Sequence, residues 1–365
     1  MLTTNNPKLD FNSVLIEPIP SNISSRKDVS LKKYLQFRNG QTYEGIPIMA
    51  ANMDGVGTFD MAKTLSVMGM FTCLSKTYDE ADLVSFFKDA ETHITENVAY
   101  STGISNSDFN KFESVYSEVG TKIKYLCIDV ANGYLSVFVD FIKKIRTLYP
   151  QLVIIAGNVV TPEMTEILAK AGADFIKIGI GSGSACTTRI KTGIGFPQLS
   201  AILECADIAD SMGSFIISDG GCTCPGDISK AFVAGADFVM LGGMLAGHDE
   251  GGGKVITKFY ESDEYDSEYV HERIKKTEVK KFVQFYGMSS KSANDKHFGG
   301  LKEYRTSEGR EVLVPYRGKV QDTVQDILGG IRSTCTYCNS ANLQELYENA
   351  RFIRVTQQYN NVFSN

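Results

Sequence analysis

Short apolar runs recur along the chain, and between them the spacing of apolar positions lengthens toward the helical period. The runs lie at 46–50, 70–74, 97–101, 123–128, 152–156, 175–178, 215–218 and 238–241, and most are rich in Val, Ile or Phe. Runs this short, bounded by turn-forming residues, read as buried strands. Their starts fall roughly 25 residues apart, which is room for one strand and one helix each. One intervening helix is signalled at both ends: Thr161 can cap it, Pro162 suits its first turn, and Gly172 stops it. Eight such units in series predict an α/β fold, a closed (β/α)8 TIM barrel, with residues 1–365 forming a single catalytic domain.

Two intervals break the spacing. The stretch from Ile178 to Phe215 is long and holds a glycine-rich segment with Cys186, which in a barrel lies after strand six on the C-terminal face, where catalytic groups collect. After strand eight, residues 249–310 form an excursion from the barrel. Its first part, 249–282, is charged and tyrosine-rich and reads most simply as a solvated excursion. The segments 286–290 and 303–309 read as active-site loops forming a flap, and helical spacing resumes near Val320.

Composition narrows the picture without changing it. The 43% hydrophobic content over 365 residues supports a sizeable core. A net charge of −6 and the lack of any Lys/Arg-rich run argue against a nucleic-acid surface. No apolar run is long enough for a membrane span and the start lacks the pattern of a signal peptide, so the expected location is cytoplasmic. Eight cysteines in a chain this long do not make a disulfide scaffold, and the default for each is a reduced, buried thiol. The pairs Cys222/Cys224 and Cys335/Cys338 lack the knuckle context of a zinc site.

Three glycine-bearing strand ends carry the first functional signal: Gly179 to Gly183 after strand six, Gly220 and Gly221 after strand seven, Gly242 and Gly243 after strand eight. Glycine lets backbone amides approach an anion, and the helix start at Pro225 adds a favourable dipole. Any one of these pairs is more often a tight turn; together at consecutive strand ends they point to a phosphate site. Asp219 is placed to accept from two ribose hydroxyls, or to cap its own turn. Cys186 lies in a polar loop before Thr187, Thr188 and Arg189, a setting that can stabilise a thiolate. From the residues alone, nucleophile and ordinary loop cysteine both stand.

The loop from Gly179 through Cys186-Thr187-Thr188-Arg189 to Gln198 resembles the cysteine loop of the inosine monophosphate dehydrogenase and guanosine monophosphate reductase superfamily. Segments 219–227, 240–248 and 327–336 are similar to its reductase branch, and the likeness runs from about residue 9 to 358. The dehydrogenase branch usually carries an inserted regulatory domain, for which the spacings here leave no room. The resemblance implies NADPH-dependent reductive deamination of GMP to IMP and ammonia, with Cys186 forming a covalent thioimidate at C2 of the guanine. Thr188 and Glu308 would handle the proton of the leaving amine, although Glu308 alone reads as a solvated loop charge. Alternatives are an inosine monophosphate dehydrogenase and a non-catalytic nucleotide-binding barrel.

Carried over residue by residue, the resemblance assigns the nucleotide to Asp219, Gly220, Gly221, Gly242, Gly243, Gly287, Met288, Ser289, Arg305, Thr306, Ser307, Glu308 and Gly309. NADPH falls to Ser25, Arg26, Lys76, Asp129, Val130, Ala131, Ile180, Gly181, Met288, Tyr304 and Arg305, with Ser333, Thr334, Cys335 and Thr336 reaching from a neighbouring subunit of a homotetramer. A monovalent cation, K+, would sit at carbonyls of Gly181, Gly183 and Cys186 with Arg189 nearby. Two departures stand out: Ser182 and Ala185 replace the Pro and Val common in relatives, and 255–281 is longer than the reductase pattern.

Overall fold

The structure is a computed structural model that describes residues 6–265, 275–297, 299–300, 302–304 and 306–356. Its centre is eight parallel strands: β1 (Ile48–Ala50), β2 (Phe71–Cys73), β3 (Val98–Thr102), β4 (Tyr125–Asp129), β5 (Val153–Val159), β6 (Phe175–Ile178), β7 (Phe215–Asp219) and β8 (Phe238–Leu241). They close into a barrel because β8 pairs with β1, with Val239 opposite Ile48. This is the predicted (β/α)8 architecture, and each predicted apolar run supplies one strand.

Alternation within the strands separates two packed layers. Met49, Phe71, Tyr125, Val153, Ile155, Phe175, Ile217 and Phe238 fill the barrel interior, while Ile48, Leu126, Ile154, Ile176, Ile216 and Val239 face the surrounding helices. Covered on both faces, the strands read as continuous apolar runs rather than alternating ones. A hairpin of Lys33–Gln36 and Thr42–Gly45 closes the N-terminal end of the barrel. Phe37 packs 5.3 Å from the Phe175 ring and Tyr43 4.9 Å from Phe238, both at strand starts. The C-terminal end is left for chemistry.

The helix Pro162–Ala171 starts as its sequence dictates, with the Thr161 hydroxyl accepting from the Met164 amide, a cap worth about 1 kcal/mol. It buries Leu168 and Ala169, and Gly172 ends it with φ +111°. After β6 the long interval holds the cysteine loop, a short helix Thr188–Thr192 and the helix Gln198–Ser211.

The excursion after β8 is solvated over much of its described length, as expected, and it is ordered into strands that the sequence pattern does not announce. Residues Val255–Tyr265 (β9) and Lys275–Tyr286 (β10) form an antiparallel ribbon, joined at its base by Glu311–Pro315 (β11). Phe259 lies opposite Val279 on the ribbon, and both are exposed. Apolar and charged residues occur on both faces, so no single apolar face marks the strands in the sequence. The chain ends with the helices Val320–Tyr337 and Leu343–Asn349 and a strand Phe352–Arg354 that pairs with Val14–Ile16. Among the described residues no helix is long and apolar enough to cross a membrane.

Candidate active site

The C-terminal strand ends and the flap meet around Cys186. The cysteine loop is pinned from two sides. Within it, the Cys186 amide donates to the Gly183 carbonyl at 3.0 Å; from the flap, the Arg310 amide donates to the Ala185 carbonyl at 2.9 Å, and the Thr187 amide to the Glu308 carbonyl at 2.7 Å. Cys186 thus forms a single antiparallel bridge with Gly309, which in turn bridges Ser290. Residues more than 120 positions apart in sequence are held face to face by main-chain bonds, so their side chains are brought into reach.

A line of three groups results. The Cys186 thiol donates to the Thr188 hydroxyl at 3.3 Å, and that hydroxyl donates to Glu308 Oε2 at 2.8 Å. Both Cys186 and Glu308 are half-buried, so Glu308 is not the solvated loop charge its neighbours suggest. Such a line can carry a proton between sulfur and carboxylate while leaving the sulfur open to a carbon electrophile.

The glycine turns converge on the same loop. Gly220 and Gly221 both have positive φ, +88° and +87°, a backbone course that side chains resist. A Cβ on Gly220 would lie 2.8 Å from Ser182 Oγ, and one on Gly243 would lie 2.6 Å from Ser184 Oγ. The turns after β7 and β8 therefore lie against the cysteine loop, and at Gly220 the positive φ together with the Gly183 amide, 3.0 Å from where a Cβ would stand, favours glycine. Gly242 adjoins Met53, and Gly287 approaches the Ala185 carbonyl, which brings the flap's base, with Met288 and Ser289 next in sequence, against the cysteine loop.

Asp219 is the last residue of β7 and does not cap a turn. Its Oδ2 accepts from Asn158 Nδ2 at 2.8 Å and lies 3.3 Å from Lys177 Nζ. Lys177, only 1% exposed, also pairs with Asp129 at the end of β4. Burial pulls the Lys177 ammonium down, but Asp129 and Asp219 outweigh it and hold its pKa well above the usual lysine range. Burial pushes Asp129 up; the charges of Lys177 and Lys76, with hydrogen bonds from Lys177 and Asn52, hold it below the usual carboxylate range. The sequence reading missed Lys177 and Asn158. A lysine inside the apolar run of β6 was the available signal for the first.

A second buried carboxylate, Asp54, also went unread. Its Oδ1 accepts from Ser75 Oγ at 2.9 Å and Thr77 Oγ1 at 2.8 Å, and its Oδ2 from Tyr286 at 2.7 Å and from His297. Burial pushes its pKa up, yet the hydrogen bonds from His297, Tyr286, Thr77 and Ser75 bring it down to about 2.

The remaining predicted positions divide. Lys76, Asp129, Val130, Ala131, Ile180 and Gly181 follow β2, β4 and β6 at the barrel mouth. Ser25 caps the short turn Arg26–Asp28, which packs on the helix Val320–Tyr337 that carries Ser333, Thr334, Cys335 and Thr336. That helix packs on Pro225–Val233, outside the barrel, and within it Cys335 is fully buried while Thr334 donates to Ser229 at 3.0 Å. Tyr304 is exposed, Thr306 is exposed, and Ser307 donates to the Gly309 carbonyl at 2.8 Å. Arg305 lies outside the described residues. Arg189 pairs with Asp10 at 3.2 Å and donates to the Phe196 carbonyl, which ties the loop to the N-terminal segment.

A closed (β/α)8 barrel with a cysteine, a hydroxyl–carboxylate pair and glycine turns gathered at its C-terminal face has the layout of the barrel enzymes, whose reacting groups collect at that face. The profile described as the IMP dehydrogenase / GMP reductase domain matches residues 8–361, and the chain belongs to that family. It is 52% identical over 363 residues to GMP reductase 2 of Homo sapiens, covering 99% of this chain and 98% of that one. It is 51% identical over 357 residues to GMP reductase of Vibrio cholerae serotype O1 (98% and 97%) and 51% identical over 360 residues to GMP reductase of Caenorhabditis elegans (98% and 95%).

Proposed function

We propose that this chain catalyses the NADPH-dependent reductive deamination of GMP to IMP and ammonia, as a single catalytic unit without an inserted regulatory domain. The observation that carries the reading is the line from the Cys186 thiol through Thr188 to Glu308. The sulfur bonds to C2 of the guanine while the thiol proton passes along the line to Glu308. Glu308 and Thr188 return that proton to the amino group, the C2–N bond breaks, and ammonia leaves a thioimidate on Cys186. NADPH, when bound, supplies the hydride that reduces C2. The C–S bond then breaks, the thiolate takes a proton from solvent, and IMP departs.

Binding falls to groups already in place. Gly220, Gly221, Gly242, Gly243 and Gly287 to Ser289 would hold the phosphate and Asp219 the ribose. The fit is supported by the buried Asn158 Oδ1, which has no hydrogen-bond partner among the described residues and lies beside Asp219. For NADPH, Lys76, Asp129 to Ala131, Ile180 and Gly181 offer a cation and polar strand ends at the mouth. Ser25, Arg26, Ser333, Thr334 and Thr336 lie apart on the outer helical layer, in keeping with a cofactor site completed by a neighbouring subunit in a homotetramer, whereas the buried Cys335 would act through the packing of its helix. The main-chain carbonyls of Gly181, Gly183 and Cys186, with Arg189 nearby, would offer hard oxygens of the kind K+ takes. The Gly183 carbonyl accepts from the Cys186 amide and keeps a second lone pair. A cytoplasmic location would keep the Cys186 thiol reduced.

Purified protein given GMP and NADPH should release ammonia and NADP+ in equal amounts, whereas turnover of IMP with NAD would instead mark a dehydrogenase. Cys186→Ala should retain GMP binding within about threefold and lose turnover by about 10⁴-fold or more. Glu308→Gln should lose about a hundredfold in kcat with KM for GMP nearly unchanged. Full activity in Cys186→Ala would remove the cysteine from the reaction.

A further inference from the structure

Asp54 follows β1 at the barrel mouth, and its carboxylate gathers donors from three separate segments. Ser75 and Thr77, both on Oδ1, flank Lys76 after β2. Tyr286, His297 and Lys296 reach Oδ2 from the flap, Lys296 at 3.4 Å. Lys296 also donates to the Tyr286 hydroxyl at 3.3 Å, so the flap donors are linked to one another. The side chain of Asp54 is 8% exposed, and a buried carboxylate with this many donors fixes all of them, because releasing any one costs a charge-assisted bond.

What the flap donors are attached to gives the network its meaning. Tyr286 pairs with Glu311 in the β10–β11 ladder, the next residue's amide (Gly287) donates to the Arg310 carbonyl at 3.2 Å, and Ser290 bridges Gly309. Glu308 directly precedes Gly309, three residues before β11 begins. The side-chain bond from Tyr286 to Asp54, followed by the main-chain pairing of 286–290 with 309–311, therefore leads to the backbone of the residue whose carboxylate accepts from Thr188.

We propose that Asp54 is a positioning residue that sets two parts of the reaction at once: Lys76 on the cofactor side, through Ser75 and Thr77, and Glu308 on the proton side, through the flap. The inference rests on the reductase reading above for the roles of Lys76 and Glu308. Of the nucleotide cradle, Asp219, Gly220, Gly221, Gly242 and Gly243 belong to β7 and β8 and share none of the Asp54 bonds, whereas Gly287 to Ser289 follow Tyr286 on the flap. The β7–β8 part of the site therefore separates from the flap in a test that reads both.

Asp54→Asn keeps the side-chain volume and removes the charge. Its kcat should fall about tenfold or more and its KM for NADPH should rise about fivefold, while GMP affinity should fall less, by about threefold, through Gly287 to Ser289 alone. Hydrogen exchange should accelerate for amides of 286–297 and 308–311 and stay unchanged in β7 and β8. Uniform loss, in which GMP affinity falls as far as kcat and exchange in β7 and β8 accelerates with that of the flap, would overturn the proposal, as would unaltered flap exchange. If Asp54→Asn does not fold, Tyr286→Phe removes one donor without stranding a charge, and it should show the same pattern at about threefold in kcat; no change there counts against the inference. If wild-type protein fails to turn over GMP with NADPH, the reductase reading is wrong, and flap exchange in the variants then decides the Asp54 network by itself.

Discussion

The two walls of the site are built on opposite principles. The rim of the barrel, from β5 to β8, is packed without slack: Asn158, Lys177, Asp219 and the glycine turns touch one another, and Ser182 and Ser184 fill the space beside Gly220 and Gly243. The flap is a ribbon whose outer half is exposed, and it meets the rim through a few main-chain bonds around Gly309 and through Asp54. The rim carries Cys186 and the glycine turns after β7 and β8; the flap carries Glu308 and the stretch from Gly287 to Ser289. A reaction that must admit two ligands and then move a proton benefits from this division, since one wall holds position while the other can open.

The comparison breaks most severely at Lys177. Replacing it with Met would leave Asp129 and Asp219 facing each other in the barrel without their shared cation. Removing one partner of a buried ion pair costs about 3–5 kcal/mol, and the loss should register in the denaturation midpoint of the whole barrel. A change below about 1 kcal/mol would mean that the rim does not depend on this charge, and the contrast between the walls would lose its basis.

The two walls also differ in how far the sequence discloses them. The strands of the barrel are legible because burial on both faces makes each an apolar run, and Thr161, Pro162 and Gly172 mark a helix by local chemistry. The ribbon is not, because apolar residues such as Val255, Ile256, Phe259 and Tyr260 share both faces with lysines and glutamates on strands that bury little, so no period-two pattern marks them and the segment reads as solvated. Within the site, Cys186 stood out by its polar setting, and Thr188 and Glu308 entered through the family likeness. The Asp54 network had no local signature: its donors at 75, 77, 286, 296 and 297 come together only when the flap folds back on the rim.

Acid offers a graded way to loosen one wall before the other. The Asp54 carboxyl has its pKa lowered from 3.8 to about 2, so the folded state binds this proton more weakly than the unfolded state. Its contribution, about 2 kcal/mol, is fully present above the unfolded value and is lost as the pH falls from near 4 through about 2. Across that window pepsin, which is active in acid, should cut within 286–311 before it cuts the strands of the barrel. In Asp54→Asn the flap should be cleaved equally across the window; a pH dependence that persists in the variant would assign the loosening to other carboxylates.

The smallest expected effect lies at the outer end of the ribbon and asks how far the flap's structure matters to the site. Phe259 is 70% exposed opposite Val279, whereas Val283 at the base is 3% exposed and packs where β10 runs between β9 and β11. Phe259→Ser should change stability by less than about 0.5 kcal/mol and leave kcat and both KM values unchanged, since it removes little buried area. Val283→Ser should cost about 2 kcal/mol and lower kcat, because it loosens the strand that leads into Tyr286 and Gly287. If Phe259→Ser lowers kcat as much as Val283→Ser does, the outer ribbon takes part in closing the site and the flap works as one body. If only the base responds, the reacting groups depend on the short stretch anchored by Asp54 and Gly309, and the added length of the ribbon lies outside the catalytic geometry.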